Sequence, residues 1–425
     1  MTPATFDSPT AFDSQQHKSL RNLSDGLAAA IAVSLPWSTT ATGTLVVLWL
    51  LSLIPIRDFP SLIRIVRTPA GALPIAMVAL AAVGMLWADV SWSDRLQGIQ
   101  AIVRLLVIPL LIAHFSRSTH IHWVLNGFVT SLTVLLVVST IHWFWPEMPL
   151  SKPFFPGAPL HDYIVQSLLF LVAAFVLLHR AMQARRDGNT MECGALFALS
   201  LLFMTSIVAV TSGRTTYVVF PILLVLFAWR QKSFKIGAGV CLIGLIFGGI
   251  AFATSPYLQE RVASISDQVR RYEINKEMTS GGFRLEFIKN SVEIVSAAPV
   301  IGHGTGSIKG AFERLIKNGR SQLETASAHP HNQLLASTIQ WGAVGAVFLC
   351  AMWLAHLWLF RSGGLFAWAG FAVVAQNIVA SQFNVHLSDS VMGWLYVLIV
   401  GVMGGTILQG DRQPTKPAAP IRSSD

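Results

Sequence analysis

His331 lies in His329-Pro330-His331-Asn332, where a long polar segment gives way to an apolar run. Pro330 suits the first turn of a helix, so the run after Asn332 is read as that helix, with His331 at its N-terminus. The positive end of the helix dipole favours neutral imidazole, the form that accepts a proton. A capping or interfacial histidine would occupy the same place. His329 and His331 as a metal pair lack a third ligand at recognisable spacing. Arg214 sits in Ser212-Gly213-Arg214, a minimal turn between two apolar runs, and Arg284 sits early in the polar segment. Two arginines near one surface suit a pyrophosphate, because the planar fork binds phosphate oxygens bidentately. An arginine reaching out to a lipid phosphate is the plainer reading of either.

Asp389 opens the last apolar run, where an aspartate commonly caps a helix. Gly302-His303-Gly304-Thr305-Gly306 could cradle phosphate with backbone N–H groups, but no strand precedes it and a glycine-rich turn is favoured. The acidic residues never occur as Asp-x-Asp or as any carboxylate pair two apart. A divalent-metal clamp therefore has no candidate, and arginine must do the metal's work on a leaving phosphate.

These residues are positioned by a membrane chain. Of 425 residues, 12% are charged and 53% hydrophobic, with mean hydropathy +0.57. Repeated apolar runs of spanning length put it in the all-α polytopic class. Twelve spans are expected: 23–38, 40–56, 69–88, 99–115, 123–145, 163–179, 193–211, 215–229, 236–254, 332–360, 365–381 and 389–408. The net charge of +9 is read loop by loop as topology, not as an affinity for nucleic acid. With cytoplasmic termini, inside segments hold Lys18 and Arg21; Arg57, Arg64 and Arg67; Arg117; Arg180, Arg185 and Arg186; Arg230, Lys232 and Lys235; Arg361; and Arg412, Lys416 and Arg422. Short outside loops hold only Arg95, Lys152 and Arg214.

The organisation follows: a cytoplasmic tail over 1–22, spans 1–9 over 23–254, an extracytoplasmic loop over 255–331, spans 10–12 over 332–409 and a cytoplasmic tail over 410–425. The polar stretches Met1–Gln16 and Gly410–Asp425 are expected disordered. Cys193, Cys241 and Cys350 all fall in apolar runs, which argues against a disulfide framework. Trp92, Trp143, Trp145, Trp229 and Trp341 are expected in the interfacial aromatic belt. In the loop, 283–298 reads as an amphipathic helix roofing the bundle. Glu286, Lys289, Asn290 and Glu293 share its polar face, and Phe283, Leu285, Phe287, Ile288, Val292, Ile294 and Val295 its apolar one. Arg284 projects into that apolar face and should have an anionic partner.

His331-Asn332, nine residues, Gly342, two residues and Gly345 resembles the signature of the bacterial O-antigen ligases and their polymerase-like relatives. Thr211-Ser212-Gly213-Arg214 resembles that family's short outer loop, and Gly282-Phe283-Arg284 the arginine early in its long periplasmic loop. Ala298-Pro299-Val300-Ile301-Gly302-His303-Gly304 resembles the Pro-x-x-Gly-x-Gly segment that follows, and Asp389 falls where ligases have an aspartate before the last span. Val218 stands where ligases often have leucine. The likeness runs from about Thr205 to Trp394.

The resemblance implies a C-type glycosyltransferase-like bundle with one large periplasmic loop, in a Gram-negative inner membrane. It implies an inverting, metal-independent transfer of O-antigen glycan from undecaprenyl pyrophosphate to lipid A–core oligosaccharide, with no cofactor and membrane lipids as surroundings. His331 is then the general base, and Arg214 and Arg284 stabilise the departing pyrophosphate. Asp389, with Asn332, orients an arginine or binds the acceptor. An O-antigen polymerase or a protein O-oligosaccharyltransferase would use the same donor. A lipid-linked sugar transporter would need inverted repeats and buried midplane charge; the sequence shows no such repeat, and Arg104 is the sole basic residue well inside an expected span.

Overall fold

A computed structural model describes residues 11–56, 58–147, 156–210, 213–231, 234–254, 256–327 and 329–410. Arg57, Lys152, Thr211, Ser212, Lys232 and the basic residues of the C-terminal tail lie outside them. The described chain is helical. From its N-terminus run α1 (Ala11–Ser34), α2 (Thr39–Leu53), α3 (Phe59–Val66), α4 (Pro69–Gly84), α5 (Trp92–Val103) and α6 (Val107–Phe115). Then come α7 (Ile121–Phe144), α8 (Tyr163–Arg186), α9 (Thr190–Ala209), α10 (Arg214–Trp229) and α11 (Phe234–Thr254). The polar segment forms α12 (Pro256–Asn275), α13 (Ser280–Ala297) and α14 (Ile308–Lys317). The chain ends with α15 (Gln333–Leu359), α16 (Leu365–Ala380) and α17 (Ser390–Gly410). Helix α1 begins at Ala11, so the N-terminal tail is helical from there rather than disordered through Gln16.

Six helices among the described residues are long and apolar enough to cross a membrane. The pair α3 and α4, bent by 82°, makes a seventh if it acts as one span. Thr68-Pro69 explains the bend: proline disfavours helix at the residue before it and suits the first turn after it. Thr68 then caps α4 by accepting from the Gly71 N–H at 3.3 Å. Helices α2, α10 and α16 are apolar but shorter. The chain is thus a polytopic helical membrane protein, with fewer helices of full spanning length than the twelve expected.

Contacts along the helices define two ends. Gly393 of α17 lies against Arg104, and Gly405 lies against Phe115, so α17 and the 104–115 stretch run in the same direction. The far end of that pair carries the Arg117–Asp58 ion pair at 2.9 Å. At the same far end, the Arg230 Nη1 donates to the Phe360 carbonyl at 2.8 Å, and the His356 ring meets the Ala70 carbonyl at 3.1 Å. The opposite end gathers Gly213 against Ser167, the Gln333 N–H on the Ser381 carbonyl at 2.8 Å, and Gly84 against Thr305. It is this second end that carries His331.

Helix α15 is broken at Gly342 (φ 61°, ψ −156°). The segment after α13 enters the break and takes over the missing backbone bonds. The Ile339 and Gln340 carbonyls accept from the His303 and Gly304 N–H groups at 2.9 and 2.8 Å. The Ala343 and Val344 N–H groups donate to the Pro299 and Val300 carbonyls at 2.8 and 3.2 Å. Non-helical backbone within an apolar helix is tolerated only when its polar groups are satisfied in this way.

The expected faces of α13 are corrected. Glu286 and Asn290 are fully buried, while Phe283, Ile288 and Val292 are 43%, 47% and 57% exposed. The cause lies in the rest of the polar segment. Tyr272 donates its hydroxyl to Glu286, which also accepts from the Gln322 N–H at 2.9 Å, and Asn290 donates to Ser321 at 2.6 Å. Phe287 and Ile294 meanwhile pack into a small core with Ile308, Phe312, Ala336 and Val385. Trp341 is likewise not interfacial: it is buried, with its indole N–H on the Thr305 hydroxyl at 2.9 Å. Trp92, Trp143, Trp145 and Trp229 are exposed.

Candidate functional site

Asn332 is the N-cap of α15, its side chain accepting from the Leu335 N–H at 3.0 Å. Its amide nitrogen reaches the Gln382 carbonyl at 3.2 Å, tying the helix start to the loop after α16. His331 is the residue before that cap and holds φ at 52°. Positive φ is uncommon outside glycine, and such strain persists only where surrounding contacts over-determine it.

The ring of His331 is tilted over Phe287 of α13, centroids 5.0 Å apart. Burial, then the positive charge of Arg284, then His329, pull its pKa below the ordinary histidine value of 6.5; the Asn384 side chain acts in the opposite direction. Neutral imidazole is therefore the dominant form at pH 7. The sequence places His331 at a helix N-terminus, but the causes acting on it come from α13, His329 and the loop before α17.

Arg284 is half-buried, and among the described residues no carboxylate pairs with it. The anionic partner expected for it is not supplied by the described residues. Arg320, by contrast, is paired with Glu293 at 2.6 Å. Arg214 starts α10 at the same end of the bundle, since Gly213 packs on the first turn of α8. The structure brings His331 and Arg284 together and puts Arg214 on the same end by its helix.

Asp389 caps α17, accepting from the Val391 and Met392 N–H groups at 2.9 and 2.7 Å. Its charge also acts on His161, His329 and His386, each held below 6.5 chiefly by burial. For His386, that takes the pKa to about 4. The arginine beside Asp389 is Arg104, from the 3-10 turn between α5 and α6. It donates to the Asp389 carbonyl at 2.6 Å and the Ser388 carbonyl at 3.3 Å. Arg104 stood out in the sequence only as a basic residue inside an apolar run. Phe287 stood out only as one of the apolar residues of its helix, and Asn384 carried no local signal.

Gly302–Gly306 is not a free phosphate cradle. His303 and Gly304 donate into the α15 break, Thr305 donates to the Gly84 carbonyl at 3.0 Å, and Gly306 donates to the Gln340 side chain at 2.8 Å. A cavity of about 250 Å³ opens beside this turn, bordered by Asp94, Gln97, Lys309, His329, Gln333 and Gln340. No three His, Cys, Asp or Glu side chains among the described residues converge to hold a metal ion.

A protein of Haemophilus influenzae described only as uncharacterized is 29% identical over 170 residues, which span 38% of this chain and 42% of that relative. Residues 199–350 match the family model described as O-antigen ligase. That stretch, similar to the O-antigen ligase family, runs from α9 through Arg214, α13 and His331 to beyond the broken turn of α15.

Proposed function

We propose that this chain is an O-antigen ligase, a glycosyltransferase that moves O-antigen glycan from undecaprenyl pyrophosphate to lipid A–core oligosaccharide in lipopolysaccharide biosynthesis. The observation that carries this reading is the pairing of a histidine held neutral with a guanidinium that no carboxylate of the described chain neutralises. One can take a proton; the other can receive an anion.

His331 takes the proton of the acceptor hydroxyl as its oxygen attacks the anomeric carbon. The bond from that carbon to the pyrophosphate oxygen breaks, and the sugar inverts. Arg284 and Arg214 receive the charge that develops on the leaving pyrophosphate, the task a divalent ion performs elsewhere. Asn332 fixes the start of α15 and with it His331. Asp389 holds the 381–389 loop and balances His329, on the side where the acceptor sugar binds. The site faces the periplasm of the inner membrane in a twelve-span topology. The alternating run of the helices between the two ends supports that topology, as do the arginines at the end opposite His331.

The test is transfer by purified full-length protein with undecaprenyl-pyrophosphate glycan and, separately, lipid A–core, a second lipid-linked glycan, or an acceptor protein. Transfer to lipid A–core is expected. His331→Ala should lower it roughly 10²–10⁴-fold while donor binding persists. Transfer only to the second glycan makes the chain a polymerase. An active His331→Ala protein, or one that no longer binds donor, removes the base assignment.

A further inference from the structure

At the end of the bundle opposite His331, two cavities join. One, of about 430 Å³, is polar and is lined by Lys18, Arg21, Asp25, His114, Arg117 and His120. The other, of about 580 Å³, is bounded mainly by Leu50, Leu53, Ile54, Phe59, Leu62 and Leu110. They share Arg21, Ile56, His114 and Arg117, so a charged mouth opens directly onto an apolar trough. Each volume lies in the range of about 300–1,000 Å³ typical of small-molecule sites.

The charges of this cleft do not cancel. Asp25 is buried and engaged by His114 at 2.7 Å, by the Ser118 hydroxyl at 2.8 Å and by His120 at 3.1 Å. Asp58 is taken by Arg117 at 2.9 Å and by the Ser61 N–H at 3.3 Å. Lys18 and Arg21 have no hydrogen-bond or ion-pair partner among the described residues. Both carboxylates are satisfied, and two cations face the mouth unneutralised by any described residue.

From this geometry we infer that the cleft binds one anionic phospholipid, its phosphate on Lys18 and Arg21 and an acyl chain in the trough of α2, α3 and α6. Basic pockets between spanning helices select anionic headgroups by charge, and the adjoining trough excludes soluble anions by requiring a chain to fill it. The middle of α1 and the ends of α2, α3 and α6 border the cleft, so the lipid braces the first helices of the bundle far from the transfer site.

Native mass spectrometry of the full chain in detergent tests this, with phosphatidylglycerol, phosphatidylcholine of the same acyl chains, and glycerol 3-phosphate as the headgroup alone. Phosphatidylglycerol should be retained roughly tenfold over phosphatidylcholine. Lys18→Glu with Arg21→Glu should abolish that preference; neither side chain holds the fold, so the protein should melt as wild type does. Leu53→Trp, which fills the trough and leaves the cations, should lower retention of both lipids. Equal retention of the two lipids by wild type, an unchanged preference in the double variant, or unaltered retention in Leu53→Trp overturns the site. Displacement of phosphatidylglycerol by glycerol 3-phosphate overturns the lipid as its occupant.

Discussion

Gly342 has the Val300 carbonyl packed directly against it, so that a Cβ at 342 would lie 2.2 Å from both the carbon and the oxygen of that group. Its φ of 61° is the conformation that opens the helix, and the Pro299–Gly304 segment fills the opening. Two glycine-containing motifs far apart in sequence are the two halves of one joint.

Gly342→Ala should therefore be severe. Gly319 supplies the control: its φ is 66°, but nothing lies within 4 Å of an added Cβ. Gly319→Ala should cost about 1–2 kcal/mol from backbone strain alone. Gly342→Ala should exceed it by a further 1–3 kcal/mol or so from overpacking against rigid backbone. Thermal midpoints of the two variants in one detergent decide it, and equal midpoints would contradict the joint.

The helical composition of the chain, the end of the bundle that holds His331 and the turn character of Gly302–Gly306 were legible from apolar runs, loop charges and local turn chemistry. The faces of α13 were not. A helical wheel ranks residues by polarity, but Glu286 is buried because Tyr272 and Gln322, brought in by other parts of the loop, satisfy it. Asn384 reaches His331 only after α16 and α17 are in place, and a lone Asn between Phe383 and Val385 announces nothing. Helix length within each apolar run was hidden for a related reason. Composition marks an apolar run, whereas the length of the helix within it depends on where caps such as Ser38 and breaks such as Thr68-Pro69 fall.

The environment of His331 sets the pH response. Its pKa is lowered, and the proposed base is the neutral form, so transfer should persist as pH falls and be lost only below about 6.5, the ordinary histidine value. Asn384 already favours the charged form, and Asn384→Asp would add an opposite charge beside the ring. That change should raise the His331 pKa and move the acid limb of the pH–rate profile up by about 1 unit or more. An unmoved limb would mean that another group controls it.

Arg284→Lys preserves the charge and loses the planar fork. Transfer should fall about tenfold or more, in line with the 1.5–3 kcal/mol typical of hydrogen bonds to charged groups. Arg320→Lys should change little, because Arg320 is spent on Glu293. Parallel kcat/KM values for the two variants distinguish phosphate recognition from a general need for positive charge on the loop.

Chelation addresses the leaving group from the other side. With Arg214 and Arg284 carrying the pyrophosphate, transfer should continue in excess EDTA at its untreated rate. Loss of activity that added Mg²⁺ or Mn²⁺ restores would transfer that role to a metal.

The joint at Gly342 also governs how the site can respond to substrates of different size. Arg284 rides on α13 and His331 on the start of α15, and only the short Pro299–Gly304 segment separates α13 from its anchorage in the α15 break. Four backbone hydrogen bonds across that break would have to open before α13 could swing away. The spacing between guanidinium and imidazole therefore acts as a fixed gauge. If the site acts as proposed, glycans of any length would be handled at one setting, because only the linkage at the pyrophosphate would be measured.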